Sequence, residues 1–346
     1  MEKWFSAHII TWYKLNKRNL PWRNTKNPYF IWLSEIILQQ TQVIQGLSYY
    51  NKFVKNYPTL KHLANANIDS VLKDWQGLGY YSRARNLHFT ANTILKEHNG
   101  VFPKNYAQIK KLKGIGDYTA AAIASFAFNL PHAVVDGNVY RVLSRVFGIK
   151  TPIDTTDGQK EFKALAEILL DKNQNADYNQ AIMEFGSQIC KPKNPDCLNC
   201  GLNYKCIAFA NNDIINLPIK AKKINVKTRY FYYFVVMYKN EISFFKRNKK
   251  DIWQGLNEFY LIEKTENCNE VNLFKELPFK NYNLIEQSNI IKHVLSHQHL
   301  YCKFYILKLK EKPISLNWIK IKNIQNLAWP RVIDKFINTC LINKFN

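Results

Sequence analysis

The chain changes character at residues 211–228, a polar and basic segment interrupted by Pro218. Before this segment, several stretches have apolar residues at helical spacing, and Gly, Pro and Asn separate these stretches. The predicted helices are 30–40, 59–75, 84–97, 118–130, 138–147 and 159–171. A segment of this composition is typical of a linker between domains. The sequence therefore predicts an all-α domain over residues 1–210.

Aromatic and β-branched residues follow the linker. Arg229–Tyr238 and Ile242–Lys246 flank a turn at Asn240, which predicts a β-hairpin, and Tyr301–Lys308 predicts a further strand. A total of 346 residues is enough for two domains with separate cores. We therefore predict a multidomain chain with a smaller α+β domain over residues 229–346.

The charge balance predicts a polyanionic partner. The chain carries 49 Lys and Arg against 26 Asp and Glu, a formal net charge of +23, and nucleic acid is the usual partner of such a protein. Only nine of the basic residues are Arg, so compositional drift in an AT-rich genome is an alternative source of part of the lysine. The longest apolar run, Phe231–Tyr238, is too short for a membrane helix, and the N-terminus lacks a secretory signal pattern. We expect a cytoplasmic protein.

Four of the seven cysteines lie within a short loop, with the spacing C-x6-C-x2-C-x5-C. They are Cys190, Cys197, Cys200 and Cys206. Clustered thiols in a reducing compartment are more often metal ligands than disulfides. Four thiolates can bind zinc or an iron–sulfur cluster, and a single C-x2-C with longer arms favours the cluster. The remaining cysteines are scattered, which is typical of ordinary thiols.

Two glycine turns precede predicted helices. Gly114 and Gly116, next to Lys113, allow backbone amides to converge at a helix start, which is a site for a phosphate oxygen. A tight turn between two helices is the structural alternative. The second turn, Gly77–Gly79, brings aromatic residues and arginines, among them Arg83, to another helix start. Such turns fit a duplex that is held by its backbone and wedged at its base stack.

Two carboxylates are candidates for acid–base chemistry. Glu35 lies in a helix that is apolar on nearly every side, so burial should raise its pKa. Asp136 follows an apolar stretch and stands at a helix N-cap position. A solvent-facing Glu and a purely capping Asp are the alternatives. A protonated acid paired with an ionised acid is what glycosidic cleavage requires.

Taken together, these features resemble a MutY-type adenine DNA glycosylase of the helix-hairpin-helix superfamily. The resemblance covers essentially the whole chain. The motifs that carry it are Leu20–Arg23, Trp32–Glu35, Gln39–Gln42, Gly77–Tyr81, Leu112–Thr119, Val135–Val139 and the four-cysteine loop over 190–206.

The resemblance implies excision of adenine paired with 8-oxoguanine or guanine, after the adenine is flipped out of the duplex. It assigns Glu35 as general acid and Asp136 as stabiliser of the sugar cation, with Tyr118 and Asn138 beside them. The implied adenine contacts are Trp22, Arg23, Leu38 and Gln180. The implied contacts around the oxidised guanine are Gln40, Thr41, Leu78 and Tyr80, the last as a wedge. The DNA-backbone contacts are Lys113, Gly114, Gly116 and Arg83, and the four cysteines would hold a [4Fe-4S] cluster.

Tyr118 separates this family from its relatives. In chains that resemble endonuclease III, a lysine at this place attacks the sugar as a Schiff-base nucleophile. A tyrosine predicts a monofunctional glycosylase. The alternatives are a thymine-glycol-type glycosylase with lyase activity and a DNA-binding or redox module without a working pocket.

The C-terminal part resembles the Nudix-like domain of the same family. The carboxylate-rich metal-binding box of Nudix hydrolases is missing from the sequence, so we predict recognition of 8-oxoguanine rather than nucleotide hydrolysis. Ser296 and His297, in the segment Leu295–Ser296–His297, are the implied contacts, although the family pattern has Phe at the first position. The implied partner is duplex DNA with an A:8-oxoG or A:G mismatch. We expect a monomer in the bacterial nucleoid.

Overall fold

The computed structural model describes residues 3–222 and 225–345. Its contacts divide the chain into two compact units. One comprises Met1–Asn65 with Phe89–Lys223, and the other comprises Ala66–His88 with Ile224–Asn346. The second unit therefore includes a segment from within the predicted 1–210 domain. None of the helices in the part of the chain that the structure describes is long and apolar enough to cross a lipid bilayer.

The helices follow in chain order, with short 3-10 turns between some of them. Their bounds are α1 (Lys3–Asn16), α2 (Pro28–Leu38), α3 (Val43–Asn56), α4 (Leu60–Asn65), α5 (Ile68–Asp74), α6 (Ser82–Glu97), α7 (Tyr106–Lys111), α8 (Asp117–Phe128), α9 (Gly137–Phe147), α10 (Thr156–Leu169), α11 (Asn175–Gln188), α12 (Ile207–Ala210), α13 (Glu270–Lys275), α14 (Arg331–Phe336) and α15 (Ile342–Phe345). A π-helical segment, Ile337–Leu341, joins the last two.

Asparagine and threonine side chains set several helix starts. Asn27 accepts from the backbone amide of Tyr29 at the start of α2, and Asn67 accepts from Asp69 at the start of α5. Such caps satisfy amides that have no partner within the helix. The Asn67 cap also explains why the predicted helix 59–75 is two helices, α4 and α5, rather than one.

Buried helices surround the site in the first unit. Helix α2 packs on α3 and α8, and α11 packs on α1, α8 and α9. Both α2 and α8 are apolar on nearly every face, and eight residues of each are buried. Their polar side chains therefore stand out as the ones that need a partner or a function.

The second unit contains a mixed β-sheet. Its strands are β1 (Lys227–Tyr238), β2 (Glu241–Lys246), β3 (Asn257–Glu258), β4 (Tyr260–Lys264), β5 (Tyr282–Gln287), β6 (Ile291–Leu295), β7 (Gln298–Leu309) and β8 (Asn317–Lys320). β1 pairs parallel with β7 and antiparallel with β2 and β4, while β7 pairs antiparallel with β5 and β6. The predicted hairpin and further strand are thus β1, β2 and β7. β1 begins at Lys227, within the segment predicted as linker.

Apolar side chains of β1 and β7 form the core of this sheet. Tyr232, Phe234 and Val236 alternate along β1 and pack with Tyr305 and Leu307 of β7. Alternation of this kind places one face of each strand in the core. The predicted fold class, a helical domain with an α+β part, is confirmed by these elements.

Candidate active site

Glu35 lies on the buried helix α2 and lines a cavity of about 410 Å³. Glu35 is only 7% exposed, which excludes the alternative of a solvent-facing glutamate. Burial raises the pKa of Glu35 to about 7, with a smaller upward contribution from the nearby Asp136, while the hydrogen bond from Tyr118 and the charge of Arg23 oppose the rise. A carboxyl group with this pKa is protonated in a large fraction of molecules at neutral pH.

Tyr118 stands in the first turn of α8, directly after the glycine hairpin. Its hydroxyl donates to Oε2 of Glu35 at 2.7 Å and lies 3.4 Å from Sδ of Met183. Burial, together with the two carboxyl groups nearby, raises the pKa of Tyr118 well above its usual value. The phenol therefore stays protonated and acts as a donor to Glu35.

Asp136 caps α9 and also lines the cavity. Its Oδ1 accepts from the backbone amide of Val139 at 2.8 Å, and its Oδ2 accepts from Nδ2 of Asn138 at 2.7 Å. Burial raises the pKa of Asp136 above its ordinary value, and these hydrogen bonds and the charge of Arg141 oppose the rise. The capping and cavity-lining interpretations of Asp136 therefore hold together, and its donors favour the ionised form.

Arg141 supports the start of α9, which carries Asp136 at its N-cap and Asn138 in its first turn, and this role was not predicted from the sequence. Its guanidinium donates to Oδ1 of Asn138 at 2.8 Å and to the carbonyl oxygens of Gly137, Gly186 and Cys190. Arg141 follows Asn138 by three residues and Gly137 by four, which is the spacing of neighbours on one helix face. That spacing was the signal that could have identified it.

The predicted adenine contacts line the same cavity as Glu35 and Asp136. They are Trp22, Arg23, Leu38 and Gln180, and Gln40 and Thr41 also line it. Gln40 has a positive φ of 55°, which is unusual for a residue with a side chain. Such backbone strain is often found beside binding sites.

Arg23 forms a buried ion pair with Glu184, which also pairs with Arg18. Glu184 accepts from Arg23 at 2.7 Å and from Arg18 at 2.6 Å, and its side chain is 1% exposed. Although burial raises it, the hydrogen bonds from the two arginines bring the pKa of Glu184 down to about 2. The sequence reasoning missed Arg18 and Glu184. Gln180, Met183, Glu184 and Ser187 share one face of α11, and this helical spacing could have indicated Glu184.

The glycine hairpin lies between α7 and α8. Gly114 has a φ of +81°, a conformation that favours glycine, and Gly116 precedes the first helical residue of α8. Both glycines and Lys113 are exposed. The backbone and the lysine are thus accessible to a phosphate, and their contact with DNA stays a prediction.

The second glycine turn belongs to the other compact unit. Tyr80, at its end, is 46% exposed, and its hydroxyl lies 2.6 Å from Oγ of Ser296. Ser296 and His297 form the exposed turn between β6 and β7. Leu78 is buried at 7% exposure. The structure thus joins Tyr80 and Ser296, two predicted contacts that are 216 residues apart.

Arg83 is predicted as a contact to the DNA backbone, but the structure buries its guanidinium within the second glycine turn. It is 8% exposed, and its guanidinium donates to the carbonyl oxygens of Leu78 and Gly79. The same group lies over the ring of Trp75 at 5.1 Å and near that of Tyr80 at 5.7 Å. Because the carbonyl oxygens and rings of the turn take up this cation, Arg83 supports the turn instead of presenting its charge to solvent.

The four loop cysteines line one small cavity, together with apolar side chains that include Val146 and Phe185. Nη1 of Arg145 approaches Sγ of Cys190 at 3.5 Å, and all four thiols are free. Within residues 3–222 and 225–345, no three His, Cys, Asp or Glu side chains are arranged to hold a single metal ion. A thiol-only donor set in apolar surroundings fits an iron–sulfur cluster chemically.

Comparisons with known proteins agree with this geometry. The family model of the HhH-GPD superfamily base excision DNA repair proteins matches residues 33–168, and the NUDIX domain model matches residues 232–339. Among solved structures, a thermostable thymine-DNA glycosylase is 31% identical, with a TM-score of 0.57 over 60% of this chain and 96% of that one. An endonuclease III in a trapped DNA complex is 20% identical, with a TM-score of 0.54 over 60% and 95%, and shares the fold.

Some curated relatives match nearly the whole chain. The adenine DNA glycosylase of Buchnera aphidicola subsp. Baizongia pistaciae is 37% identical, covering 99% of this chain and 97% of its own. The adenine DNA glycosylase of Homo sapiens is 40% identical over 59% of this chain and 39% of its own. Because a near full-length relative has this identity, the chain belongs to the adenine DNA glycosylase family of base excision repair enzymes.

Proposed function

We propose that the chain hydrolyses the N-glycosidic bond of adenine paired with 8-oxoguanine or guanine in duplex DNA, without cutting the strand. The observation that carries the proposal is the hydrogen-bonded pair of Glu35 and Tyr118 in one cavity with Asp136. The base must leave the duplex before its glycosidic bond can be reached. A cavity of about 410 Å³ is within the size range of ligand sites.

Glu35 supplies the proton in this mechanism. Adenine leaves poorly as an anion, so Glu35 transfers its proton to N7 as the bond from N9 to C1′ breaks and the electron pair goes to the base. The sugar is left with a positive charge at C1′. The ionised Glu35 then takes a proton from the water that adds to C1′, which restores the acid and gives the abasic sugar.

Asp136 stabilises the positive charge on the sugar. The donors Val139 and Asn138 favour its ionised form, and a negative charge fixed beside the sugar lowers the energy of a cationic transition state. Tyr118 is a phenol and forms no Schiff base with C1′. A phenol rather than an amine at this position therefore supports hydrolysis without a lyase step.

The second unit reads the base opposite adenine. Tyr80 is exposed next to the turn that carries Ser296 and His297, and the bond between Tyr80 and Ser296 fixes an aromatic ring beside a hydroxyl. An aromatic side chain can enter the base stack, and a hydroxyl can donate to or accept from the oxidised base. Gln40, Thr41 and Leu78 are the further proposed contacts on the guanine side.

The four loop cysteines are the proposed ligands of a [4Fe-4S] cluster. When bound, the cluster supplies a rigid core for the loop and takes no part in the bond cleavage derived above. Sγ of Cys206 lies 3.3 Å from the carbonyl oxygen of Arg145, so this end of the loop lies against α9. The thiol-only donor set supports this assignment.

Base release from three duplexes tests the proposed reaction. We expect excision of adenine opposite 8-oxoguanine, slower excision opposite guanine, and none opposite thymine, with strand cleavage only after alkali. Glu35→Gln keeps the size of the side chain and removes the acid, so it serves as the inactive control. Equal excision from all three duplexes, or a covalent complex trapped in good yield by borohydride, contradicts the proposal.

A further inference from the structure

Tyr13 of α1 makes a specific contact with a residue of the cavity wall. It is 2% exposed, and its hydroxyl donates to Oε1 of Gln180 at 2.7 Å. Gln180 lies on α11 and lines the cavity that holds Glu35. Tyr13 does not line the cavity itself, but its hydrogen bond acts on Gln180, which does.

The hydrogen bond determines which end of the Gln180 amide is available to a base. A primary amide has an acceptor oxygen and a donor nitrogen, and rotation by half a turn exchanges them. Burial raises the pKa of Tyr13 to about 12, so its hydroxyl is a proton donor at neutral pH. With Oε1 held by this donor, Gln180 presents its NH2 group.

Tyr13 also lies beside Arg23. The guanidinium carbon of Arg23 is 5.5 Å from the centre of the Tyr13 ring, and Glu184 holds the guanidinium at 2.7 Å. Both Gln180 and Arg23 then offer hydrogen-bond donors. Adenine carries acceptor nitrogens at N1, N3 and N7, whereas guanine carries a proton at N1.

We propose that Tyr13 is a positioning residue that orients the Gln180 amide so that its NH2 group donates to a ring nitrogen of the flipped adenine. This inference rests on the function proposed above. The hydroxyl of Tyr13 contributes by donating to Oε1, so that the NH2 group is the end of the amide left to face the base. The ring of Tyr13 separately supports Arg23.

A double-mutant cycle tests the role of the hydroxyl. Tyr13→Phe keeps the ring, and we expect single-turnover excision from the A:8-oxoG duplex to fall about fivefold, the loss of one hydrogen bond. In a Gln180→Ala background the same substitution should cause no further fall. No fall in the first case, or an equal fall in both backgrounds, overturns the proposal.

Tyr178→Phe is the matched control. Tyr178 is a tyrosine of α11 at 1% exposure, and its hydroxyl has no hydrogen-bond partner among the residues that the structure describes. We expect the native excision rate from this variant. A fall equal to that of Tyr13→Phe would show that any buried hydroxyl here matters, which overturns a specific role for Tyr13.

Adenine analogues provide a second measurement that does not depend on the folding of a Tyr13 variant. In duplexes with CH in place of N1 or of N3, one analogue should be excised more slowly by the native protein, and Gln180→Ala should abolish that difference. If neither difference depends on Gln180, the donor role is wrong. An inactive native protein would instead contradict the proposed function itself.

Discussion

The hydroxyl of Tyr118 donates a hydrogen bond of 2.7 Å to Oε2 of Glu35. This contact joins the helix that follows the glycine hairpin to the buried helix α2. It also opposes the effect of burial, because a donor to a carboxylate stabilises the ionised form. The protonation of Glu35 thus depends on both its apolar surroundings and one phenol.

Excision should depend on pH through Glu35. With a pKa of about 7, the protonated acid is the main form below neutral pH and is lost as the pH rises further. We expect the single-turnover rate to fall about tenfold for each pH unit well above 7. A rate that stays constant from pH 7 to pH 9 would exclude Glu35 as the acid.

The substitution Tyr118→Phe should move this profile. Removing the phenol hydroxyl removes the hydrogen bond that favours the Glu35 carboxylate, so the pKa of Glu35 rises further. The fall in rate should therefore begin at a higher pH than in the native protein, with a maximal rate reduced about tenfold. A profile that moves to lower pH contradicts this assignment.

Glu35→Gln should separate stability from activity. Ionising Glu35 in the folded protein costs roughly 3 kcal/mol, because its pKa is about 7 against an ordinary value of 4.5. A raised folded-state pKa gives stability that is complete below pH 4.5 and is lost as the pH rises through 7. We therefore expect the variant to be inactive and to have a higher Tm than the native protein at about pH 9, with a smaller advantage at about pH 5.

The two roles of Asp136 can be separated by two substitutions. Asp136→Asn keeps an oxygen that can cap Val139, so the free energy of unfolding should change by less than about 1 kcal/mol, while excision should fall at least about 100-fold. Asp136→Ala should lose about 1 kcal/mol of stability as well. Chemical denaturation and single-turnover kinetics measure the two effects, and an active Asp136→Asn variant would contradict the charge-based role.

The preference for 8-oxoguanine should depend on Tyr80 and Ser296 jointly. Ser296→Ala and Tyr80→Phe each remove one end of their hydrogen bond, so each should reduce the A:8-oxoG over A:G preference about fivefold. The double variant should lose little more than either single one. Additive losses would show that the two hydroxyls act separately. Point variants suit this test because deleting residues 229–346 would also remove hydrogen-bond partners of the segment that carries Tyr80.

Iron content tests the cysteine loop. Cys200→Ser should lower the bound iron and acid-labile sulfide and reduce Tm, since a ligand of the cluster is lost. Cys340→Ser is the matched control, because Cys340 lies in the second unit, and it should keep the native iron content. Purified native protein without iron and sulfide would contradict the proposed cluster.

The sequence predicts the elements whose signal is local. The period of α2, the capping position of Asp136 and the β-branched run of β1 each depend on neighbouring residues. Helices α1, α3, α7 and α11 are absent from the prediction. Their apolar residues indicate a buried helix face only when the helices that they pack against are known.

Interactions between distant residues lie outside the reach of such patterns. The burial of Arg83 depends on a turn whose carbonyl oxygens point back toward it. Tyr13 and Gln180 are 167 residues apart, and nothing in either segment indicates their contact. Long-range hydrogen bonds of this kind complete the candidate site, so the sequence identifies its chemistry better than its supporting residues.

The second compact unit is assembled from two separate stretches of the chain. Gln76 accepts from the backbone amide of Trp329, 253 residues later, and Lys73 donates to the carbonyl oxygen of Leu327. During synthesis these bonds must wait until the last part of the chain has left the ribosome. A stop codon shortly before Leu327 would therefore remove the partners of the segment next to Tyr80. A mutation near the 3′ end of the gene would then disturb a turn that is encoded in its first quarter.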